Sequence, residues 1–219
     1  MDRSFETLIF DLDGTLIDSA PDVYDSVTVA LHEIGAPPVG RDEILKAIGP
    51  GRETFFKVIF PNGSQKDIDR FMPVFRDYYW EHCLDKTVLF PGISEVLLQL
   101  EDRKLAVASN KPKRFIEKIL SGFGIRDRFQ CVVGPEDVKQ VKPDPEMIDK
   151  VLALCDSLPP ETLLIGDTDK DMIAGRSAGV QICGVRYGYG DPDDLQSQKP
   201  DMMIDRADEL IAIVDHRNH

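Results

Sequence analysis

At 219 residues, 42% of them hydrophobic, the chain is long enough for one large domain or one domain with an insertion, and apolar enough to build a sizeable core. Its formal charge of −13 argues against nucleic acid as a partner, because phosphate backbones are bound by basic surface. No apolar run approaches the roughly 20 residues a membrane helix needs, and the four widely spaced cysteines form no C-x-x-C pair. A cytoplasmic protein with reduced thiols, no signal peptide and no membrane partner is therefore expected.

The first apolar run, TLIF, reads as a buried strand and leads at once into Asp11, Leu12, Asp13, Gly14 and Thr15. Asp and Gly are ordinary turn residues, so this stretch alone reads as well for a turn as for a site. Four helical patterns follow between residues 20 and 85: PDVYDSVTVALHEIG, RDEILKAIG, RETFFKVIF and QKDIDRFMPVFRDYYWEHCL. Pro73 should kink the last of them. The aromatic residues crowded here, Phe55, Phe56, Phe71, Phe75, Tyr78, Tyr79 and Trp80, read as the core of a small helical bundle. From about residue 88 the pattern alternates. KLAVASN, FQCVVG, TLLIGD and VQICGVR read as buried parallel strands, with DMMID as a further one. ISEVLLQLEDR, KRFIEKILSGFG, PEMIDKVLALCDS and KDMIAGRSAG read as the helices between them. The expected fold is an α/β, doubly wound, Rossmann-like and mostly parallel sheet, residues 1–18 and 86–219, interrupted by an all-helical cap over 19–85.

In such sheets ligands collect beyond the carboxyl ends of the strands. There this chain places Asp11 and Asp13, then Ser109 and Asn110, then Lys142 in VKPDP, and finally Asp167, Asp169 and Asp171. Several carboxylates cannot gather unpaired, and a hard, oxygen-rich group of this kind suits Mg²⁺. DTDKDMIAGRSA imitates a calcium loop at its first, third and fifth positions. It fails where Met172 replaces the obligatory glycine and Ala178 replaces glutamate. No phosphate-binding P-loop and no dinucleotide fingerprint is present. His32, His82, His216 and His219 show no ligand spacing and read as surface or packing residues.

DLDGT, ASN, the later KP and GDTDKD, in this order at strand ends, resemble the four motifs of the haloacid dehalogenase superfamily. LFPGISEVLLQL, SNKP, VKPDPEM and VRYGYG are similar to its phosphoglycolate phosphatases. The resemblance implies a Mg²⁺-dependent phosphomonoester hydrolase with Asp11 as nucleophile and Asp13 as general acid and base. It assigns the metal to the Asp11 and Asp167 carboxylates and the Asp13 carbonyl. Backbone N–H groups of Gly14 and Thr15, with Ser109 and Asn110, would hold the phosphate, and Lys142 would offset its charge. Asp171 would orient Lys142 or a metal water, while Asp169 would face solvent. With Asp11, Asp13, Asp167 and Asp171 ionised, Mg²⁺ and Lys142 leave one negative charge, which a proton on Asp13 would relieve. Asp13 speaks against the metal-free dehalogenases and the phosphonatases, which lack it. DSAPDV, without a histidine, speaks against the sugar-phosphate mutases. A phosphoacceptor signalling domain would carry neither the helical insertion nor Asp13. The implied substrate is a small phosphorylated metabolite: 2-phosphoglycolate, or alternatively pyrophosphate, a nucleoside monophosphate or a sugar phosphate. A monomer or homodimer is expected. Within the cap, Gly49, Pro50 and Gly51 lead into a helix beginning at Arg52, which reads either as an ordinary exposed arginine at a helix start or, with the helix end, as the receiver of the substrate's carboxylate.

Overall fold

The computed structural model describes residues 5–214, so the readings of His216 and His219 lie outside the described residues. A six-stranded, wholly parallel sheet forms the centre, built from β1 (Thr7–Phe10), β4 (Lys104–Ala108), β5 (Cys131–Val133), β6 (Thr162–Gly166), β7 (Gln181–Val185) and β8 (Met202–Ile204). Their order is β5-β4-β1-β6-β7-β8, which places β1 between β4 and β6. Successive residues of a strand point to opposite faces, and both faces here are covered. Leu8 and Phe10 of β1 join one apolar cluster, shared with α5 (Ile93–Gln99), α6 (Lys113–Gly122) and α10 (Glu209–Val214). Ile9 joins the other, shared with α7 (Glu146–Cys155), α8 (Asp169–Ser177) and α9 (Pro192–Ser197). This explains the unbroken apolar runs: a strand buried on two sides has no solvent face to leave polar.

Between β1 and β4 the chain makes a detour. Two short strands, β2 (Ile17–Asp18) and β3 (Val88–Leu89), pair antiparallel, so its outward and return paths run side by side. Beyond this ribbon stand α1 (Ala20–Glu33), α2 (Arg41–Ala47), α3 (Arg52–Ile59) and α4 (Gln65–His82). The helix α4 contains Pro73 and runs unbroken through it, with the proline itself exposed. Its Phe71 and Tyr79 are buried with Val27 and Leu31 of α1 and Phe56 and Ile59 of α3, in an apolar cluster continuous with one face of the sheet. No helix among the described residues is long and apolar enough to cross a membrane. The four cysteines are free thiols.

Candidate active site

The carboxyl ends of β1, β4 and β6 and the loop after β5 converge on one buried constellation. Asp11, directly after β1, donates its N–H to Ile165 O of β6 at 2.9 Å, so the sheet ladder itself fixes its backbone. Lys142 is 2% exposed, yet its ammonium is fully partnered. It donates to Asp11 Oδ1 at 2.8 Å, to Asp171 Oδ1 at 2.6 Å and to Ala108 O at 2.7 Å. Burial opposes the charge on Lys142, but Asp11 and Asp171 outweigh it and hold the ammonium above its ordinary range. Asp171 also caps α8: its Oδ2 accepts from Thr168 N at 3.1 Å and Thr168 Oγ1 at 2.6 Å. One carboxylate thus starts the helix and aims the lysine. Asp169, the first residue of α8, is half-buried and outside this network.

Asp11, Asp167 and Asp171 bring carboxylate oxygens within 4.8 Å of one another, all three buried. Burial first, then mutual repulsion, pushes Asp11 up to about 6 against the pull of Lys142, and raises Asp167 well above the carboxylate range. Among the described residues Asp167 meets no lysine. It accepts from Tyr189 N at 2.8 Å, Gly190 N at 3.2 Å and Thr15 Oγ1 at 3.2 Å. Three buried carboxylates with one cation between them suit a hard divalent ion, which would remove the repulsion that raises them. Gly14, at φ 84°, is required here: a Cβ at that position would run into the Asp167 carboxylate.

Asp13 lies on the other side of the turn. Its carboxylate accepts from Lys111 Nζ at 2.9 Å and from Ser19 Oγ at 2.5 Å, with the Lys111 and Asp13 side chains almost fully buried. Burial disfavours the charge on Lys111, and Asp13 more than restores it. Lys111 was not assigned a role from the sequence, although it follows Asn110 at the same strand end as Ser109. With Mg²⁺ bound, counting it would bring the charge sum of the four aspartates and two lysines to zero before a phosphate arrives. Tyr189, also unassigned, accepts at its hydroxyl from Ser19 N (2.7 Å) and Ala20 N (3.1 Å) and donates to Asp18 Oδ1 (2.7 Å), tying the loop after β7 to the start of α1.

Two of the expected phosphate contacts already have partners within the protein. Gly14 N–H donates to Ile17 O and Thr15 N–H to Leu12 O, which closes the turn. The Asn110 carboxamide is equally occupied: its Nδ2 donates to Gly49 O and Lys142 O and its Oδ1 accepts from Lys142 N, each at 3.1 Å. Asn110 therefore fastens the Lys142 loop and the loop before α3 to the end of β4. Ser109 remains buried beside it, its hydroxyl accepting only a long 3.4 Å bond from Lys111 N.

A cleft of about 350 Å³ opens from Asp13, Asn110 and Lys111 toward α3 and α4. Arg52, exposed at the start of α3, lines it, with its guanidinium 5.2 Å from the centroid of the Phe56 ring. Arg52 meets no carboxylate within salt-bridge distance among the described residues.

A family model described as haloacid dehalogenase-like hydrolase matches residues 8–185. A phosphoglycolate phosphatase of Psychrobacter arcticus is 35% identical, covering 96% of this chain and 95% of that protein. An N-acetylmuramic acid 6-phosphate phosphatase of Pseudomonas aeruginosa is also 35% identical over the same shares of both chains. Among solved structures, a phosphoglycolate phosphatase assigned by prediction in Haemophilus somnus superposes with a TM-score of 0.89 at 28% identity, covering 95% of this chain and 97% of that one.

Proposed function

The chain belongs to the haloacid dehalogenase-like hydrolases and is a phosphatase; from that membership we propose that it hydrolyses phosphomonoesters through an aspartyl-phosphate on Asp11. The carrying observation is the buried Asp11–Lys142–Asp171 network beside Asp167, at the strand ends where an α/β sheet binds its ligands. Mg²⁺ is the proposed cofactor, held by Asp11, Asp167 and the Asp13 carbonyl; when bound it supplies positive charge to the phosphoryl oxygens. An Asp11 carboxylate oxygen attacks phosphorus as the bond to the leaving oxygen breaks, and Asp13 gives that oxygen a proton. Asp13 then takes a proton from water, whose oxygen attacks phosphorus, and the bond to Asp11 breaks to release phosphate. Lys142 stabilises charge on Asp11 and on the transferring group throughout, and the Ser109 hydroxyl donates to a phosphoryl oxygen.

We propose that residues 19–85 act as a cap over this site and that Arg52 pairs with a carboxylate on the leaving group. The expected substrate is 2-phosphoglycolate, supported by the similarity to phosphoglycolate phosphatases at full length. The test is release of inorganic phosphate from 2-phosphoglycolate with Mg²⁺, with trapping of labelled phosphate on Asp11. Asp11→Asn should abolish both; label on another residue would overturn the mechanism.

A further inference from the structure

The cleft beside Asp13 is larger, flatter-walled and more cationic than glycolate requires. Its volume of about 350 Å³ falls within the range of roughly 300–1,000 Å³ usual for small-molecule pockets, whereas glycolate has only about five non-hydrogen atoms.

The wall has a definite construction. Phe71, Phe75 and Tyr79 stand four residues apart along α4 and so share one face of the helix. Their rings stack, Phe75 on Phe71 at 13° between planes and on Tyr79 at 8°. Phe71 is sealed in the core, whereas Phe75 is half-buried and lines the cleft. Both end rings of the stack, Phe71 and Tyr79, are buried, and the middle ring, Phe75, is the one left half-buried on the cleft, with Phe55 and Phe115 flanking the stack. Tyr79 lines the same cleft, its hydroxyl buried and the Lys111 ammonium 4.8 Å from its ring centroid.

Charge points the same way. In a chain of formal charge −13, the lining of this cleft carries Arg52, Arg76, Arg114 and Lys111 against only Asp13 and Glu136. Lys111 is committed to Asp13 and Arg76 to Asp77, which leaves Arg52 and Arg114 as the cleft's cations with no ion pair among the described residues. Arg114 lies 4.7 Å from the Phe115 ring centroid and Arg52 lies over Phe56, so guanidinium groups border the aromatic wall.

We propose that the preferred substrate is a phosphomonoester whose leaving group is ring-sized, lays an apolar face on Phe75 and Phe55, and carries an anionic group of its own. This rests on the phosphatase reading, keeps 2-phosphoglycolate as a substrate and ranks a larger class of esters above it. If the wall were only the core of the helical insertion seen through a gap, leaving-group size would have no effect on turnover.

Three esters of primary alcohols separate these outcomes: 2-phosphoglycolate, benzyl phosphate and 4-carboxybenzyl phosphate, each assayed for phosphate release with Mg²⁺. The expected result is a kcat/KM for 4-carboxybenzyl phosphate at least tenfold above that for 2-phosphoglycolate, and severalfold above that for benzyl phosphate. Phe75→Leu, which keeps an apolar side chain but removes the flat ring, should cut the ratio of 4-carboxybenzyl phosphate to 2-phosphoglycolate about tenfold. Equal or better turnover of 2-phosphoglycolate by the wild-type protein, or a ratio that Phe75→Leu leaves unmoved, overturns the proposal while leaving the phosphatase reading intact. Absence of phosphate release from all three esters would instead overturn that reading, and this inference with it.

Discussion

Asp11→Asn should make the metal-free protein more stable while removing its activity. The carboxylate is almost completely buried, and burial is the dominant influence on it, with Lys142 pulling the other way and Asp171 and Asp13 adding repulsion. Their sum lifts Asp11 from 3.8 to about 6. A carboxyl group whose folded value is raised holds its proton longer in the fold than in the unfolded chain. Its contribution is therefore fully present below pH 3.8 and lost as pH rises through about 6. The lift corresponds to about 3 kcal/mol of penalty once the group is ionised, at roughly 1.4 kcal/mol per tenfold change. Asparagine keeps the shape without the charge but exchanges an ionic bond from Lys142 for a neutral one, so a gain of about 1–2 kcal/mol is expected. Urea denaturation in EDTA near pH 7.5 and pH 5 reads it: the variant should be the more stable at the higher pH, with the gap shrinking at the lower. Saturating Mg²⁺ should then favour the wild type, since the proposed ligand set keeps its anionic oxygen there and has only a neutral one in the variant. A variant less stable than wild type in EDTA at pH 7.5, or a gain independent of pH, would refute the reasoning.

Other outcomes follow from the same contacts. Activity should vanish in EDTA and return with Mg²⁺, and Asp167→Ala should lose that response along with at least about a hundredfold in kcat, since Asp167 lies beside Asp11 and meets no lysine among the described residues. Full activity in metal-free buffer would count decisively against this site. Arg52→Ala should lower kcat/KM for 2-phosphoglycolate roughly ten- to a hundredfold, the loss of one charge-assisted bond, and far less for p-nitrophenyl phosphate, which has no carboxylate. Equal losses on both esters would remove Arg52 from carboxylate recognition. Asp22→Ala should cost about 3–5 kcal/mol, read as a fall in Tm of roughly 10 °C, because Asp22 is buried in α1 and accepts from Lys86 N, Thr87 N and Thr87 Oγ1. A change below about 1 kcal/mol would mean that these donors find other partners.

What could be read from the sequence followed from periodicity and from one rule of α/β sheets. Strands buried on both faces are continuous apolar runs, so β1, β4, β6 and β7 were visible as such. Ligands gather at strand ends, so Asp11, Lys142, Asp167 and Asp171 could be named before their distances were known. The two-residue strands β2 and β3 and the six-residue helices α9 and α10 are too short to show a period. Hydrogen-bond partners across the chain left no local trace. Asp22 reads as an ordinary first-turn acid of α1, and only folding brings the backbone of Thr87 to it. Asn110 shows that a polar residue at the right strand end can carry structural bonds that its position does not announce. Position was legible, but the carboxamide's few bonds are all used by partners at residues 49 and 142.

Those same bonds change how the helical insertion relates to the chemistry. Asn110 holds Gly49 and the Lys142 backbone at once, while Ser19, at the outward path to α1, holds Asp13. Tyr189 bonds Ser19 N through its hydroxyl and Asp167 through its own N–H. Lys142, Asp13 and Asp167 are therefore each one or two hydrogen bonds from the insertion. A shift of α1 or of the loop before α3 cannot leave these proposed catalytic and metal-binding groups unmoved. Seating a leaving group against α3 and α4 would accordingly set the geometry of Asp13 and Lys142 as well as decide which ester enters. Poorly fitting esters should lose kcat together with affinity.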